Sequence, residues 1–226
     1  GISWTLCILL SLIILMAPVT GASTQVHIVL YAADGYTILN ETTVDYRWME
    51  QHLPVKGDGA THYYHQGPVF VDNPDDRWNP EEDSNVLEKD MGAVKGTDLR
   101  DLCDLVGGME AGDTVTLRAL DGFSKTFAYE NVYEPPSRQG IMVITWYHAN
   151  QSYVPQYTEG MRLIFFADTS TNPWGIHTFG LWDWHESAAE EYWYYYYQGG
   201  EAYPTTTGLS VMYVSEIQIW SSRESR

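Results

Sequence analysis

Cysteine and positive charge are what this sequence has least of. It contains two cysteines, Cys7 and Cys103. Cys7 falls in an apolar leader, so the rest of the chain keeps one thiol. That excludes an internal disulfide there and any zinc site built from paired cysteines. Lys and Arg total 12 against 30 Asp and Glu, a formal charge of −18. A field of that sign repels phosphate backbones and anionic membrane surfaces, so nucleic acid is not an expected partner. It suits cations, high external salt or simple solubility. The short signatures of common chemistries are missing too. There is no Gly-x-Ser-x-Gly, no His-Glu-x-x-His, no P-loop and no dinucleotide glycine fingerprint. Acidic pairs such as Asp183 with Glu186, or Glu190 with Glu191, are ordinary in so acidic a chain. No catalytic residue is assigned.

What is present begins with residues 6–19 (LCILLSLIILMAPV), an apolar run followed by Thr20-Gly21-Ala22-Ser23. Its length matches the apolar segment of a signal peptide and falls short of the roughly 20 residues that span a bilayer. The chain opens at Gly1 without a basic stretch, so its true start is expected upstream. A longer apolar run there would make the segment an uncleaved anchor. Residues 1–22 are therefore read as a signal peptide or N-terminal membrane anchor, with the membrane as partner only through that segment. Residues 23–226 are read as a single extracellular or cell-surface domain. The glycosylation sequons at Asn40 (Asn-Glu-Thr) and Asn150 (Asn-Gln-Ser) agree with export.

Hydrophobic periodicity predicts an α+β fold: a β-rich mixed sheet or barrel-like body with a few short helices. Residues 25–32 (QVHIVLYA) alternate as a strand, and Asp34-Gly35 turns the chain into a second strand at 36–39. Tyr46, Met49 and Leu53 follow helical spacing up to Pro54. Residues 57–89 read as a long loop, rich in Pro, Gly, Asn and Asp. Thr97 is the expected N-cap of a helix over 99–106, stopped by Gly107-Gly108. A hairpin follows over 113–119 and 123–129, turning at Asp121-Gly122. Residues 141–147 and 161–167 are dense enough for central strands, and 211–220 alternate as a half-buried one.

The order of these pieces carries a resemblance. GTDLRDL at 96–102, Gly112-Asp113-Thr114-Val115, Asp121-Gly122-Phe123, GMRLI at 160–164 and VSEIQI at 214–219 follow one another. In that order they resemble the sulfite-oxidase-like, molybdopterin-binding oxidoreductase domain over residues 92–220, leaving 23–91 outside the match. The same half resembles surface proteins of methanogenic archaea, which implies an archaeal envelope. In the oxidoreductase family a cysteine thiolate holds molybdenum and basic residues hold the cofactor phosphate. Here Cys103 sits on the predicted helix face with Leu99, Leu102 and Val106, where a buried structural thiol is expected. With so few clustered Lys and Arg, molybdopterin is not an expected ligand. The resemblance implies a fold more than an activity.

Three constellations remain. His62 and His65, with His148, His177 and His185 elsewhere and Asp183 or Glu186 for oxygen, are a candidate transition-metal set. The ordinary reading is hydrogen-bonding histidines. Asp72, Asp75 and Asp76, with Glu81, Glu82 and Asp83, crowd a loop whose carboxylates suit calcium, against the ordinary reading of a solvated acidic loop. Residues 179–186 and 192–197 concentrate Trp and Tyr, with Trp182, Trp184, Tyr192, Trp193 and Tyr195 as candidate ligand-binding residues. The ordinary reading there is alternate rings facing core and water. The leading expectation is a noncatalytic surface domain recognising a cell-envelope protein or a small ligand through an aromatic, acidic surface made of the segment 182–197 and the loop 62–83. The alternatives are a metal- or pterin-dependent oxidoreductase and a calcium-stabilised glycan-binding module.

Overall fold

A computed structural model describes residues 22–78 and 86–224. The apolar leader, Glu81, Glu82 and Asp83 lie outside the described residues.

Strand β1 (Gln25–Tyr31) buries Val26, Ile28 and Leu30, as its alternation requires. The Asp34 carboxylate accepts the N–H groups of Tyr36 and Thr37 and closes the turn into β2 (Ile38–Asp45). This second strand is longer than predicted. Its polar stretch Asn40-Glu41-Thr42-Thr43 reads as loop only because that face is solvated. Strand β14 (Val214–Trp220) pairs with β1 in parallel, which puts the two ends of the chain at the centre of one sheet. With β6 (Thr114–Ala119) and β7 (Ser124–Ala128) the order is β2-β1-β14-β6-β7.

The second sheet runs β10 (Arg162–Phe166), β8 (Ile141–His148), β5 (Asp90–Asp98), β4 (His62–His65) and β11 (His177–Phe179). Two short strands, β3 (Val55–Lys56) and β9 (Ser152–Tyr153), add to β5 and β8. Strand β5 was hidden in the sequence by Gly92 and Gly96, which read as turn residues. Gly96 is instead a close-approach position: a Cβ there would sit 2.7 Å from the Thr145 Cα across the ladder. Because β5 crosses residues 91 and 92, the segment outside the family resemblance and the segment inside it share a strand.

Among the described residues, four short α-helices complete the body. Helix α1 (Tyr46–His52) starts where the Asp45 carboxylate accepts the Trp48 N–H at 2.8 Å, and it ends before Pro54 as predicted. Helix α2 (Leu99–Asp104) is shorter than predicted, and its N-cap is Asp98, not Thr97. Thr97 stays in β5, where its hydroxyl accepts the buried Trp146 indole N–H at 3.0 Å. Helices α3 (Tyr129–Tyr133) and α4 (Leu181–Ser187) follow β7 and β11. A hairpin of β12 (Tyr195–Gln198) and β13 (Glu201–Pro204) forms a separate two-stranded sheet. With 38% strand and 20% helix, the fold is α+β and β-rich.

The expected barrel does not close. Strand β10, predicted as central, forms a ladder with β8 alone among the described residues. On its other edge the Leu163 N–H donates to the Val211 carbonyl at 2.9 Å, and the edge lies against β4 and β11 without a ladder. Side chains bridge that seam. The Phe165 N–H donates to His65 Nε2 at 3.2 Å, and His177 Nδ1 lies 2.8 Å from the Ala167 carbonyl. Tyr63 stacks on Phe166 with ring centroids 3.7 Å apart. Short β4 and β11 offer too little edge to complete a ladder, so imidazoles satisfy the buried backbone instead.

An aromatic cleft beside helix α4 as the candidate functional site

Helical spacing sorts the aromatic segment. Helix α4 is fixed at its start by the Asp183 carboxylate, which accepts the Gly180 N–H, and by Gln66, whose amide oxygen accepts the Leu181 N–H, both at 2.8 Å. Leu181 and Trp184 then turn inward, each 1% exposed. Trp184 packs against Phe127, Phe165 and Phe179, so this expected ligand-binding residue is part of the core. Trp182 and His185, three residues apart, share the outward face.

From that face a column of rings is built. Trp182 stacks on His185 with centroids 4.4 Å apart and planes 8° apart, and His185 stacks on Trp193 at 4.6 Å. Trp78 tilts against Trp193 at 4.7 Å and meets Tyr195 edge-on at 6.0 Å. Trp78, Trp182, His185 and Tyr195, with Asp75 and Arg77, line a cleft of about 540 Å³. That volume is in the range of small-ligand sites. Of the expected ligand-binding residues, Trp182, Trp193 and Tyr195 come together here. Tyr192 does not line the cleft; it is half-buried against the core, and burial followed by the neighbouring Glu191 carboxylate raises its pKa.

Sequence reasoning placed Arg77 and Trp78 inside the candidate recognition loop 62–83 but singled out neither. Arg77 is 6% exposed in a 3₁₀ turn at Pro74–Trp78. It donates to the carbonyls of Val71 at 3.2 Å and Ala202 at 2.9 Å and pairs with Glu201 at 3.0 Å. Its guanidinium also sits 4.3 Å from the centre of the Tyr203 ring. Arg77 thus ties the acidic turn to the β12–β13 hairpin and sets the cleft floor. The one available signal was a lone cation within an acidic stretch.

The candidate metal ligands are dispersed. On β4 the period of two sends His62 outward, paired with Asp90 at 2.8 Å, and buries His65 completely. Burial, reinforced by the nearby Arg162 charge, lowers the His65 pKa to about 3. Asp72, Asp75 and Asp76 are exposed, and Arg77 donates to the Asp72 backbone carbonyl at 3.4 Å. Asp76 accepts the Asn73 amide at 3.0 Å. Among the described residues no three His, Cys, Asp or Glu side chains converge on a point that could hold a metal ion.

Cys103 is fully buried with Leu99 and Leu102, and burial, then Asp104 and Asp98, push its thiol well above the usual range. A side chain so placed does not fit a molybdenum-ligating thiolate. At the sequons, the Asn40 amide donates to the Val106 carbonyl at 3.1 Å, whereas Asn150 is exposed in the turn between β8 and β9. A separate hollow of about 390 Å³ beside Thr42, Asp45, Trp48 and Leu105 carries a single aromatic ring. The α4 cleft is the more aromatic of the two, lined by Trp78, Trp182 and Tyr195. No protein-family model, curated protein or solved structure matches this chain.

Proposed function

We propose that this chain is a noncatalytic extracellular binding domain that recognises a small saccharide in the α4 cleft. The observation that carries the reading is the concave surface of Trp78, Trp182 and Tyr195 around His185, with the Asp75 carboxylate beside it. Indole and phenol rings cover the apolar C–H faces of a sugar ring, while carboxylate and imidazole groups exchange hydrogen bonds with its hydroxyls. A concave site suits a small ligand better than the flat patch a protein partner needs. An exported, acidic domain fits this role in a cell envelope, and we infer a sulfite-oxidase-like fold for residues 92–220 from the order of their motifs.

Tryptophan fluorescence gives the test, because three indoles stand in or behind the cleft. Titration with a panel of neutral and acidic oligosaccharides is expected to change the emission saturably. Trp182→Ala and Trp78→Ala are each expected to weaken binding about thirtyfold, the effect of losing a Trp anchor worth about 2 kcal/mol. Binding that survives both substitutions refutes the cleft as the recognition site.

A further inference from the structure

Trp182 borders a second concavity on its other side, of about 250 Å³, lined also by Gln66, Arg138, Asn172, Thr178 and Asp183. Arg138 is ion-paired there with Asp183 but keeps guanidinium N–H groups that make no hydrogen bond among the described residues. Its Nε lies 3.7 Å from Asp183 Oδ1, beyond hydrogen-bond length. Such a group carries five N–H donors in a planar fork. Thr178, on the same wall, is 2% exposed, and its hydroxyl has no hydrogen-bond partner among the described residues. Buried polar groups are rarely left this way.

The surroundings are rigid. Next to Arg138, the fully buried Gln139 side chain donates to the Asn131 carbonyl at 2.8 Å and accepts the Asn131 amide at 2.8 Å. The Asn131 amide also donates to the Ser187 carbonyl at the end of α4, at 2.9 Å. This network locks the Arg138 loop to the helix that carries Trp182. Asn172 is likewise fixed, accepting the Trp174 and Ile176 N–H groups and donating to the Ile176 carbonyl. The cavity is thus a preorganised wall with one cation partly offset by Asp183.

We propose that this second cavity is the anionic subsite of the aromatic cleft and takes the carboxylate of a hexuronic-acid sugar. A planar carboxylate matches the guanidinium fork. Asp183 offsets the Arg138 charge and so opposes a doubly charged phosphate more strongly than a single carboxylate, whose binding rests on the directional guanidinium N–H groups. Because Trp182 borders both cavities, a saccharide lying over that indole has neighbouring residues in each. The inference rests on the saccharide reading of the cleft and adds the class of sugar.

The test compares hexuronic-acid oligosaccharides with the methyl ester of each, titrated calorimetrically against the wild-type chain, Arg138→Gln and Trp182→Ala at 0.15 M salt. The acid forms are expected to bind the wild type at least tenfold more tightly than their esters, as a charge-assisted contact gives. Arg138→Gln is expected to remove that difference while leaving ester binding in place. Equal affinity for acid and ester, or an acid preference that survives Arg138→Gln, overturns the subsite. If Trp182→Ala still abolishes binding in that case, the cleft reading stands. Failure of every oligosaccharide to bind overturns both. Should Arg138→Gln disturb the fold, seen by near-ultraviolet circular dichroism, the acid–ester comparison on the wild type decides alone.

Discussion

Acidification should open the seam between β10 and the β4–β11 pair, because His65 must stay neutral to hold it. Its Nε2 accepts the Phe165 N–H at 3.2 Å, which places the ring proton on Nδ1. The ring is fully buried, edge-on to Phe165 and Phe179. A second proton would put a cation in this apolar site, near Arg162, and would turn the accepting nitrogen into a donor facing another donor. The pKa of about 3 lies below the ordinary 6.5. The unfolded chain therefore takes up the proton first, and the contribution of His65 is complete above pH 6.5 and declines as pH falls from 6.5 towards 3. Linkage makes the loss about 2–3 kcal/mol between pH 7 and pH 4.5. The many carboxylates titrate over part of this range, so a difference measurement isolates the histidine. His65→Gln keeps an acceptor for the Phe165 N–H but takes up no proton. Urea unfolding of both proteins from pH 7.5 to 4.5 should show the wild type more stable at neutral pH, with its advantage shrinking by about 2–3 kcal/mol on acidification. A gap that stays constant across that range refutes the neutral-histidine account of the seam.

Trp184→Ala should cost about 3–5 kcal/mol of stability through the cavity it leaves among Phe127, Phe165 and Phe179. Half-exposed Trp182→Ala should cost far less, and denaturant midpoints of the two variants compare them directly. In a chain carrying Cys7→Ser, an alkylating reagent should modify Cys103 only after unfolding, because the thiol is buried and its thiolate disfavoured; mass spectrometry of native and urea-treated protein reads this out. Produced in a host that glycosylates secreted Asn-x-Ser/Thr sites, the protein should carry glycan on exposed Asn150. Asn40, whose amide is tied to the Val106 carbonyl, should be much less occupied on peptide mapping.

Local signals were legible and long-range ones were not. The β1 alternation, the Asp121-Gly122 hairpin and helix α1 ending before Pro54 all depend on residues within a few positions of one another, and each formed as read. Strand β5 escaped notice because its glycines serve packing against β8, a contact made with residues about 50 positions away. Two neighbouring residues of a motif compete for one cap, and Asp98 won it from Thr97 because the Thr97 hydroxyl is held by Trp146. In the site, composition marked the aromatic segment but not which rings are buried. The register of α4 decides that, and the register follows from Gln66 and Asp183 holding its first turn. Trp78 and Arg77 join from a segment more than 100 residues upstream, and no periodicity announces such a meeting.

The acidity of the chain and the cation at Arg138 act over different distances, and this decides what the cleft can hold. The −18 charge is spread over the surface, where salt near 0.15 M screens it within about 8 Å. Arg138, partly exposed, and buried Thr178 stand in a concavity beside the Asp183 carboxylate, so a contact made there would be short and directional. General acidity therefore discourages polyanions such as nucleic acid from approaching anywhere. A single carboxylate on an otherwise neutral, hydroxyl-rich ligand meets weak repulsion on the way in and a matched partner on arrival. In the proposed reading both charges contribute: the diffuse field disfavours polyanions, and the Arg138 guanidinium, paired with Asp183, offers its remaining N–H groups to a single carboxylate.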